Sequence, residues 1–177
     1  MTADSKLADA PAAVWQVCTH DPAETRALGA TLGALAPRGA VVLLQGDLGA
    51  GKTVIAQGVG RGLGVLGVVN SPTFVLVNEH LGGRLPMLHA DLYRLDEAAE
   101  IAELVLDELA ADGVLLVEWP ERSAEPIAED ALRVTITPGD GPEDRTLTWE
   151  ARGGRSQALL ARLRAEAGSE TAPPERA

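Results

Sequence analysis

The stretch from residue 40 to residue 53 constrains the fold of this chain more than any other. It begins with a continuous apolar run, AVVLLQ, and continues into GDLGAGKT, which ends on Lys52 and Thr53. An unbroken apolar run of this kind is typical of a strand buried on both faces of a sheet. The second part fits the pattern G-x-x-x-x-G-K-[ST]. The stretch therefore predicts a buried strand, a tight loop and a helix from about Lys52 to Arg61.

The loop of this unit has the chemistry of a phosphate-binding site. Its glycines let successive backbone N–H groups point inward around an anion, and the N-terminus of the helix adds partial positive charge. In such a loop the lysine reaches the β- and γ-phosphates, and the next hydroxyl is a ligand for Mg²⁺. An ordinary turn needs neither residue. The predicted nucleotide-binding residues are Gly46, Asp47, Leu48, Gly49, Ala50, Gly51, Lys52, Thr53 and Val54, of which Thr53 is also a predicted metal ligand.

Missing signatures narrow the choice of nucleotide and metal. GTPases of this architecture usually carry D-x-x-G and N-K-x-D, and neither pattern occurs in the sequence, which favours ATP. The chain has three histidines and one cysteine, so no cluster typical of zinc is expected. The expected cofactors are ATP and the Mg²⁺ that accompanies it.

The charge balance argues against direct binding of nucleic acid. The 177 residues include 26 acidic and 15 basic side chains, for a net charge of −11. Affinity for RNA or DNA depends on neutralising phosphates with Lys and Arg, and no basic block stands out. A single cysteine fits a reducing compartment, the N-terminus lacks the apolar core of a signal peptide, and no stretch approaches the roughly 18 apolar residues of a membrane span. We therefore expect a cytoplasmic protein without membrane contact.

Strands and helices alternate along the chain, which predicts one α/β domain. The expected fold is a P-loop NTPase-like sheet with parallel core strands, antiparallel hairpins and helices on both faces. A first hairpin is predicted from 74–81 and 84–93 around a two-glycine turn, and a second around GDGPED. The other predicted features are strands at 14–19 and 113–118, helices at 21–36, 97–110 and 156–167, a P-loop ATPase domain at 14–167, and disordered tails at 1–13 and 168–177.

Two acids compete for the position that faces the metal. Glu118 ends the apolar run VLLVE, and Asp91 ends LHAD. In P-loop folds this carboxylate follows a strand inside the sheet. The run before Glu118 fits such a strand, whereas Pro86 argues against it for Asp91, because proline is poorly tolerated in a central strand. Glu118 is therefore predicted to hold Mg²⁺, directly or through a water, and a plain cap or surface role is its alternative. Trp119 is predicted to cover the site. Asp91 is predicted to orient the attacking water or another group around the metal.

Two further polar residues have open interpretations. Thr73, in NSPTF, is at the position of a switch residue that could present its hydroxyl to the γ-phosphate or to a metal-bound water, so it is a catalytic candidate beside Asp91. Simple turn chemistry is the alternative for this segment. His89 and Asp91 are two apart on a predicted strand and face the same side, although a lone buried histidine is more often a structural residue whose hydrogen bonds are satisfied.

Four segments together resemble a known family. GDLGAGKT, SPTF, HADLYRL and LVEWPE occur in that order and are similar to the TsaE family, the small P-loop ATPases of bacterial threonylcarbamoyladenosine biosynthesis on transfer RNA. The resemblance covers about residues 14–165. It implies that Lys52 and Thr53 bind phosphate and Mg²⁺, that Asp91 and Glu118 are functional acids, and that Trp119 lies beside the nucleotide.

The same resemblance implies protein partners. TsaE-like proteins join TsaB and TsaD, and TsaD-like subunits transfer the carbamoyl group to the adenosine, so transfer RNA would be met only through the complex. The chain departs from the family pattern at Val54, where a second threonine is often found, and at Ala90, where a bulky aromatic is common.

Three functions remain open from the sequence. The first is an ATPase subunit of a transfer-RNA modification complex, slow alone and stimulated by its partners. The second is a small-molecule kinase of the P-loop class, in which Arg84, Arg94 or Arg122 would clamp an acceptor, although no arginine-rich lid is evident. The third is a nucleotide-dependent interaction module with negligible chemistry.

Overall fold

A single mixed sheet of seven strands organises the chain. The computed structural model describes residues 13–72, 77–94, 108 and 110–170, with backbone only for residues 169 and 170. The described elements are β1 (Ala13–Thr19), α1 (Pro22–Leu35), β2 (Ala40–Gln45), α2 (Lys52–Leu63), β3 (Val77–His80), β4 (Met87–Asp91), β5 (Val114–Glu118), a 3-10 helix (Pro120–Arg122), β6 (Ala131–Pro138), β7 (Arg145–Arg152) and α3 (Gly154–Glu170).

The centre of the sheet is parallel and its margins are antiparallel. The strand order is β1-β7-β6-β2-β5-β4-β3. Strand β2 pairs in parallel with β5 and β6, and β4 pairs in parallel with β5. The two predicted hairpins, β3–β4 and β6–β7, are antiparallel, and β1 is added antiparallel to β7. The predicted α/β sheet with parallel core strands is confirmed.

Each face of the sheet has its own apolar core. On one face, helices α1, α2 and α3 pack over alternate residues of the strands, such as Val42, Leu44 and Leu116. On the other face, a smaller cluster contains Leu43, Leu115 and the helical residue Ala110. Helical residues therefore contribute to both faces, as predicted. Most of the predicted helix at 97–110 lies outside the described residues.

The first hairpin differs from its prediction in two ways. His80 pairs with Met87, so six residues, 81–86, connect the strands instead of two. The longer loop packs on the end of α2, where Arg84 N donates to Leu63 O at 2.8 Å. Pro86 lies in this loop before β4 begins, and its carbonyl accepts from Val114 N at 2.9 Å. The expectation that Pro86 excludes its strand from the sheet interior is therefore wrong, because β4 lies between β5 and β3.

The structure describes only the inner ends of the two tails predicted to be disordered, and these residues are ordered. Ala13 already belongs to β1, and α3 continues to Glu170. The rest of both predicted tails lies outside the described residues. Within the residues that the structure describes, none of the helices has the length and apolarity needed to cross a membrane.

Helices α1 and α2 approach so closely that only glycine fits at their crossing. Two glycines in each helix, four positions apart, face the other helix: Gly29, Gly33, Gly58 and Gly62. A Cβ built on Gly58 would lie 2.3 Å from the backbone oxygen of Arg26 in α1. Backbone atoms cannot yield as a flexible side chain can. This contact fixes the position of α2, whose N-terminus follows the glycine-rich loop.

We predict that Gly58→Ala destabilises the protein despite the better helix propensity of alanine. Separating the two helices should lower the free energy of unfolding by about 1–3 kcal/mol, measured by urea denaturation. Gly168→Ala in α3 is the matched control, because a Cβ there meets nothing within 4 Å; it should be neutral or stabilise by up to about 1 kcal/mol. A Gly58→Ala protein as stable as wild type would contradict the close-packing account.

Candidate functional site

The parallel strands bring the predicted site residues to one edge of the sheet. Strand β2 leads into the glycine-rich loop, Leu44 pairs with Glu118 at the end of β5, and Glu118 pairs with Asp91 at the end of β4. An open cleft of about 530 Å³ lies at this edge. The residues that line it are Leu48, Gly49, Gly51, Lys52, Thr53, Val54, Ser71, Asp91, Tyr93, Arg94, Glu118 and Trp119.

The glycine-rich loop is held from behind and open in front. Gly46 has a φ of 148°, and a Cβ there would lie 2.6 Å from Ile136 O, so the loop passes close to β6. Gly51 has a φ of 112°, and a Cβ there would meet nothing within 4 Å. Arg145 Nε donates to Ala50 O at 3.0 Å and ties the loop to the second hairpin. The loop is thus fixed by the close approach of β6 and by the Arg145 side chain, and its other side is open to the cleft.

Lys52 is buried and anchored within the loop that precedes it. Its Nζ donates to Gly46 O at 2.6 Å and to Asp47 O at 2.9 Å, and lies 3.9 Å from the centre of the Trp119 ring. Burial lowers the pKa of Lys52 from its ordinary value, and nearby carboxylates, Glu118 first, oppose this shift. An ammonium has three donors. With two of them given to the loop, the third is available to an anion in the cleft.

Thr53 and Glu118 meet across the junction of the loop and β5. The Thr53 hydroxyl donates to Glu118 Oε1 at 3.3 Å. The same carboxylate oxygen lies 2.9 Å from His89 Nε2. Glu118 is only 3% exposed, so it is not a surface acid at the end of a strand. A hydroxyl and a carboxylate, both oxygen ligands that Mg²⁺ favours, lie side by side in the lining of the cleft.

Asp91 has different neighbours from Glu118. Its Oδ2 accepts from the Ser71 hydroxyl at 2.6 Å, and its Oδ1 accepts from Tyr93 N at 2.9 Å. The sequence predicts Ser71 only as a turn residue and assigns no role to Tyr93. The Asp-x-Tyr spacing was a usable signal, because an aspartate often bonds the backbone two residues ahead. The bond to Ser71 is non-local and could not be found that way.

Trp119 adopts a backbone conformation that is unusual for a large residue. Its φ is 60° and its ψ is 46°, and among the described non-glycine residues it alone has a positive φ. Such a conformation costs on the order of 1–3 kcal/mol and persists where surrounding contacts hold it. Here Trp119 N donates to Leu44 O at 3.2 Å, and the indole packs 4.8 Å from Tyr93, centre to centre. The strained turn places the indole over Lys52.

The remaining residues predicted from the sequence differ in their relation to the cleft. Thr73 lies outside the described residues. Arg94 lines the cleft, and the Arg122 guanidinium lies 5.6 Å from the centre of the Tyr93 ring. Arg84 serves another purpose, because it donates to the carbonyl of Gly33 at the end of α1.

Comparison with known proteins identifies the family. Residues 19–147 match the family model "Threonylcarbamoyl adenosine biosynthesis protein TsaE". The tRNA threonylcarbamoyladenosine biosynthesis protein TsaE of Bacillus subtilis (strain 168) is 40% identical over 146 residues, which make up 82% of this chain and 90% of the relative. The corresponding protein of Streptomyces coelicolor is 46% identical over 114 residues, which make up 63% and 77%.

A solved structure agrees with the sequence comparisons. The crystal structure of YdiB from Bacillus subtilis is similar with a TM-score of 0.76 and 31% sequence identity, and the match covers 90% of this chain and 99% of that chain. On the family match and on relatives at this level of identity, the chain belongs to the TsaE family of threonylcarbamoyl adenosine biosynthesis proteins.

Proposed function

We propose that this protein is a Mg²⁺-dependent ATPase subunit that supports threonylcarbamoyladenosine modification of tRNA in the cytoplasm, in complex with TsaB and TsaD. One observation carries the proposal. The Lys52 ammonium, the Thr53 hydroxyl and the Glu118 carboxylate line one cleft at the N-terminus of α2. A site for a nucleoside triphosphate requires a cation for the phosphates, oxygen ligands for a metal and a helix N-terminus.

In this proposal the glycine-rich loop holds the phosphates. Backbone N–H groups of the loop and the first turn of α2 donate to the phosphate oxygens. Lys52 is held by Gly46 O and Asp47 O, so its remaining donor is oriented before the nucleotide arrives. The gain is entropic, because little side-chain freedom is lost on binding.

Thr53 and Glu118 are the proposed Mg²⁺ residues. Both offer hard oxygen atoms, which fits the preference of Mg²⁺. Among the described residues no group of three or more His, Cys, Asp and Glu side chains could hold a metal by itself, so phosphate oxygens and waters would complete the coordination. When bound, the ion neutralises charge on the phosphates. The direct contact of Thr53 with Glu118, rather than with Asp91, supports Glu118 as the metal acid.

Asp91 and Thr73 are the proposed catalytic residues. Asp91 would accept a hydrogen bond from the attacking water and so orient it toward the γ-phosphate. It is only 6% exposed and lines the same cleft as Lys52. Ser71, two residues before Thr73 in the sequence, donates to Asp91 at 2.6 Å. Trp119, whose ring lies over Lys52, would limit the access of water to the site.

The kinase alternative loses one of its three candidate arginines. Arg84 is engaged with the end of α1, which leaves Arg94 and Arg122 as possible acceptor clamps. The net charge of −11 also fits a subunit that meets tRNA only through its partners.

We predict that Lys52→Ala reduces ATP hydrolysis by about 100-fold or more, because it removes a charged donor aimed at the phosphates. Initial rates at saturating ATP and the affinity for ATP should both be measured. Lys6→Ala, at the other lysine of the chain, is the matched control and should leave both unchanged. Normal turnover by a folded Lys52→Ala protein would rule out the phosphate-binding assignment.

The two acids should separate in a Mg²⁺ titration. We expect Glu118→Gln to raise strongly the Mg²⁺ concentration needed for ATP binding, because a metal ligand loses its charge. Asp91→Asn should leave that requirement nearly unchanged and lower turnover at saturating Mg²⁺. The opposite pattern would exchange the two roles, and an unaffected Glu118→Gln protein would remove Glu118 from the metal site.

Partner dependence distinguishes the proposed function from its alternatives. ATP turnover by the protein alone should be slow and should rise at least about tenfold when purified TsaB and TsaD are both added, as expected where a partner completes a site. The Lys52→Ala protein in the same mixture controls for contaminating ATPases. ATP turnover that is unchanged by the partners but rises with a small-molecule acceptor would favour a kinase. The absence of ATP turnover in every mixture would favour an interaction module.

A further inference from the structure

We propose that His89 is a positioning residue that fixes the Glu118 carboxylate in the orientation needed for Mg²⁺ coordination. The inference deepens the proposed function and rests on Glu118 being the metal acid. His89 lies on β4, one strand away from Glu118 on β5. It does not line the cleft and would act only through Glu118.

The contact between the two side chains is fully buried. The His89 side chain has no exposed surface, and that of Glu118 is 4% exposed. Nε2 of His89 lies 2.9 Å from Oε1 of Glu118, a shorter separation than the 3.3 Å from the Thr53 hydroxyl to the same oxygen. Among the described residues these two groups supply the hydrogen bonds to the carboxylate. The shorter bond comes from a rigid ring on an interior strand, so His89 is the fixed partner of the two.

The other ring nitrogen argues against a purely structural role for His89. A carboxylate that binds a metal accepts hydrogen bonds only, so the proposed role requires Nε2 of His89 to be the donor. Nδ1 of His89 is buried and has no hydrogen-bond partner among the described residues. A buried polar atom without a partner lowers stability, and an apolar side chain of similar size would avoid that cost. The bond to Glu118 is the interaction that His89 makes and an apolar residue cannot make.

The sheet fixes the backbone of Glu118 but not its side chain. The Cα of Glu118 is held between Leu44 of β2 and Asp91 of β4. Its side chain still has three torsions, and Mg²⁺ demands nearly ideal octahedral geometry. A bond from His89 to Oε1 directs the other oxygen, Oε2, away from the ring. Partners of this kind, which bond to metal-ligating carboxylates, typically change metal affinity by about 10–100-fold when removed.

A second histidine nearby provides a matched control. His80 lies on β3, its ring centre is 6.5 Å from that of His89, and its Nε2 is likewise buried without a partner among the described residues. Among the described residues, no hydrogen bond joins His80 to Glu118. Replacing His80 therefore perturbs the same part of the sheet without removing a hydrogen bond to the carboxylate.

The test compares His89→Asn, His89→Gln and His80→Asn with wild type. Glutamine places an N–H₂ donor near the position of Nε2, whereas asparagine reaches only about as far as Nδ1. Calorimetric titration with a non-hydrolysable ATP analogue, repeated over a range of Mg²⁺ and in EDTA, gives the Mg²⁺ requirement without any turnover, and thermal melts report folding. We expect His89→Asn to raise the Mg²⁺ requirement about tenfold with unchanged affinity in EDTA. His89→Gln should restore most of the loss, and His80→Asn should match wild type.

The outcomes that overturn the proposal are distinct from those that overturn the function. A wild-type Mg²⁺ requirement in folded His89→Asn, an equal rise in His80→Asn, or a rise that His89→Gln does not restore would refute the role of His89. If His89→Asn does not fold, the test rests on His89→Gln. A folded His89→Gln protein whose Mg²⁺ requirement is well above that of wild type would then refute the role of His89. Nucleotide binding by wild type that ignores Mg²⁺ altogether would instead refute the proposed metal site and, with it, this inference.

Discussion

The hydrogen bond between the Thr53 hydroxyl and the Glu118 carboxylate is the contact on which the whole site depends. It joins the first turn of α2 to the end of β5, and it can form only because β2 and β5 are neighbouring parallel strands with Leu44 opposite Glu118. A shift of the register by one residue would turn the carboxylate to the other face of the sheet. The proposed chemistry therefore rests on strand pairing as much as on the loop.

Several contacts around the cleft hold that geometry. The glycine crossing sets how closely α2 packs against α1. Arg145 ties the loop to the second hairpin through Ala50 O. The bond from His89 holds the Glu118 carboxylate from the neighbouring strand β4. Each of these contacts restricts a different freedom: the position of the helix, the path of the loop and the rotation of one side chain.

The sequence predicted what is local and missed what depends on distant partners. The strand, loop and helix around Lys52 are specified by adjacent residues, and the run before Glu118 identified its strand correctly. The prediction that Pro86 keeps its strand out of the sheet interior was wrong, because the sequence does not show that β4 starts one residue after Pro86. The spacing of Gly29 and Gly33 is visible in the sequence, but its meaning needs the matching pair in α2. The partner of His89 follows only from the order and register of the strands.

A crystal structure with Mg²⁺ and a non-hydrolysable ATP analogue tests the central claim most directly. The account predicts the triphosphate in the glycine-rich loop, with Lys52 at its β- and γ-oxygens. It further predicts Mg²⁺ at about 2.0–2.1 Å from the Thr53 hydroxyl, with Glu118 bound to the ion directly or through one water. An ion held by Asp91 with Glu118 turned away, or a nucleotide bound outside the loop, would contradict the account.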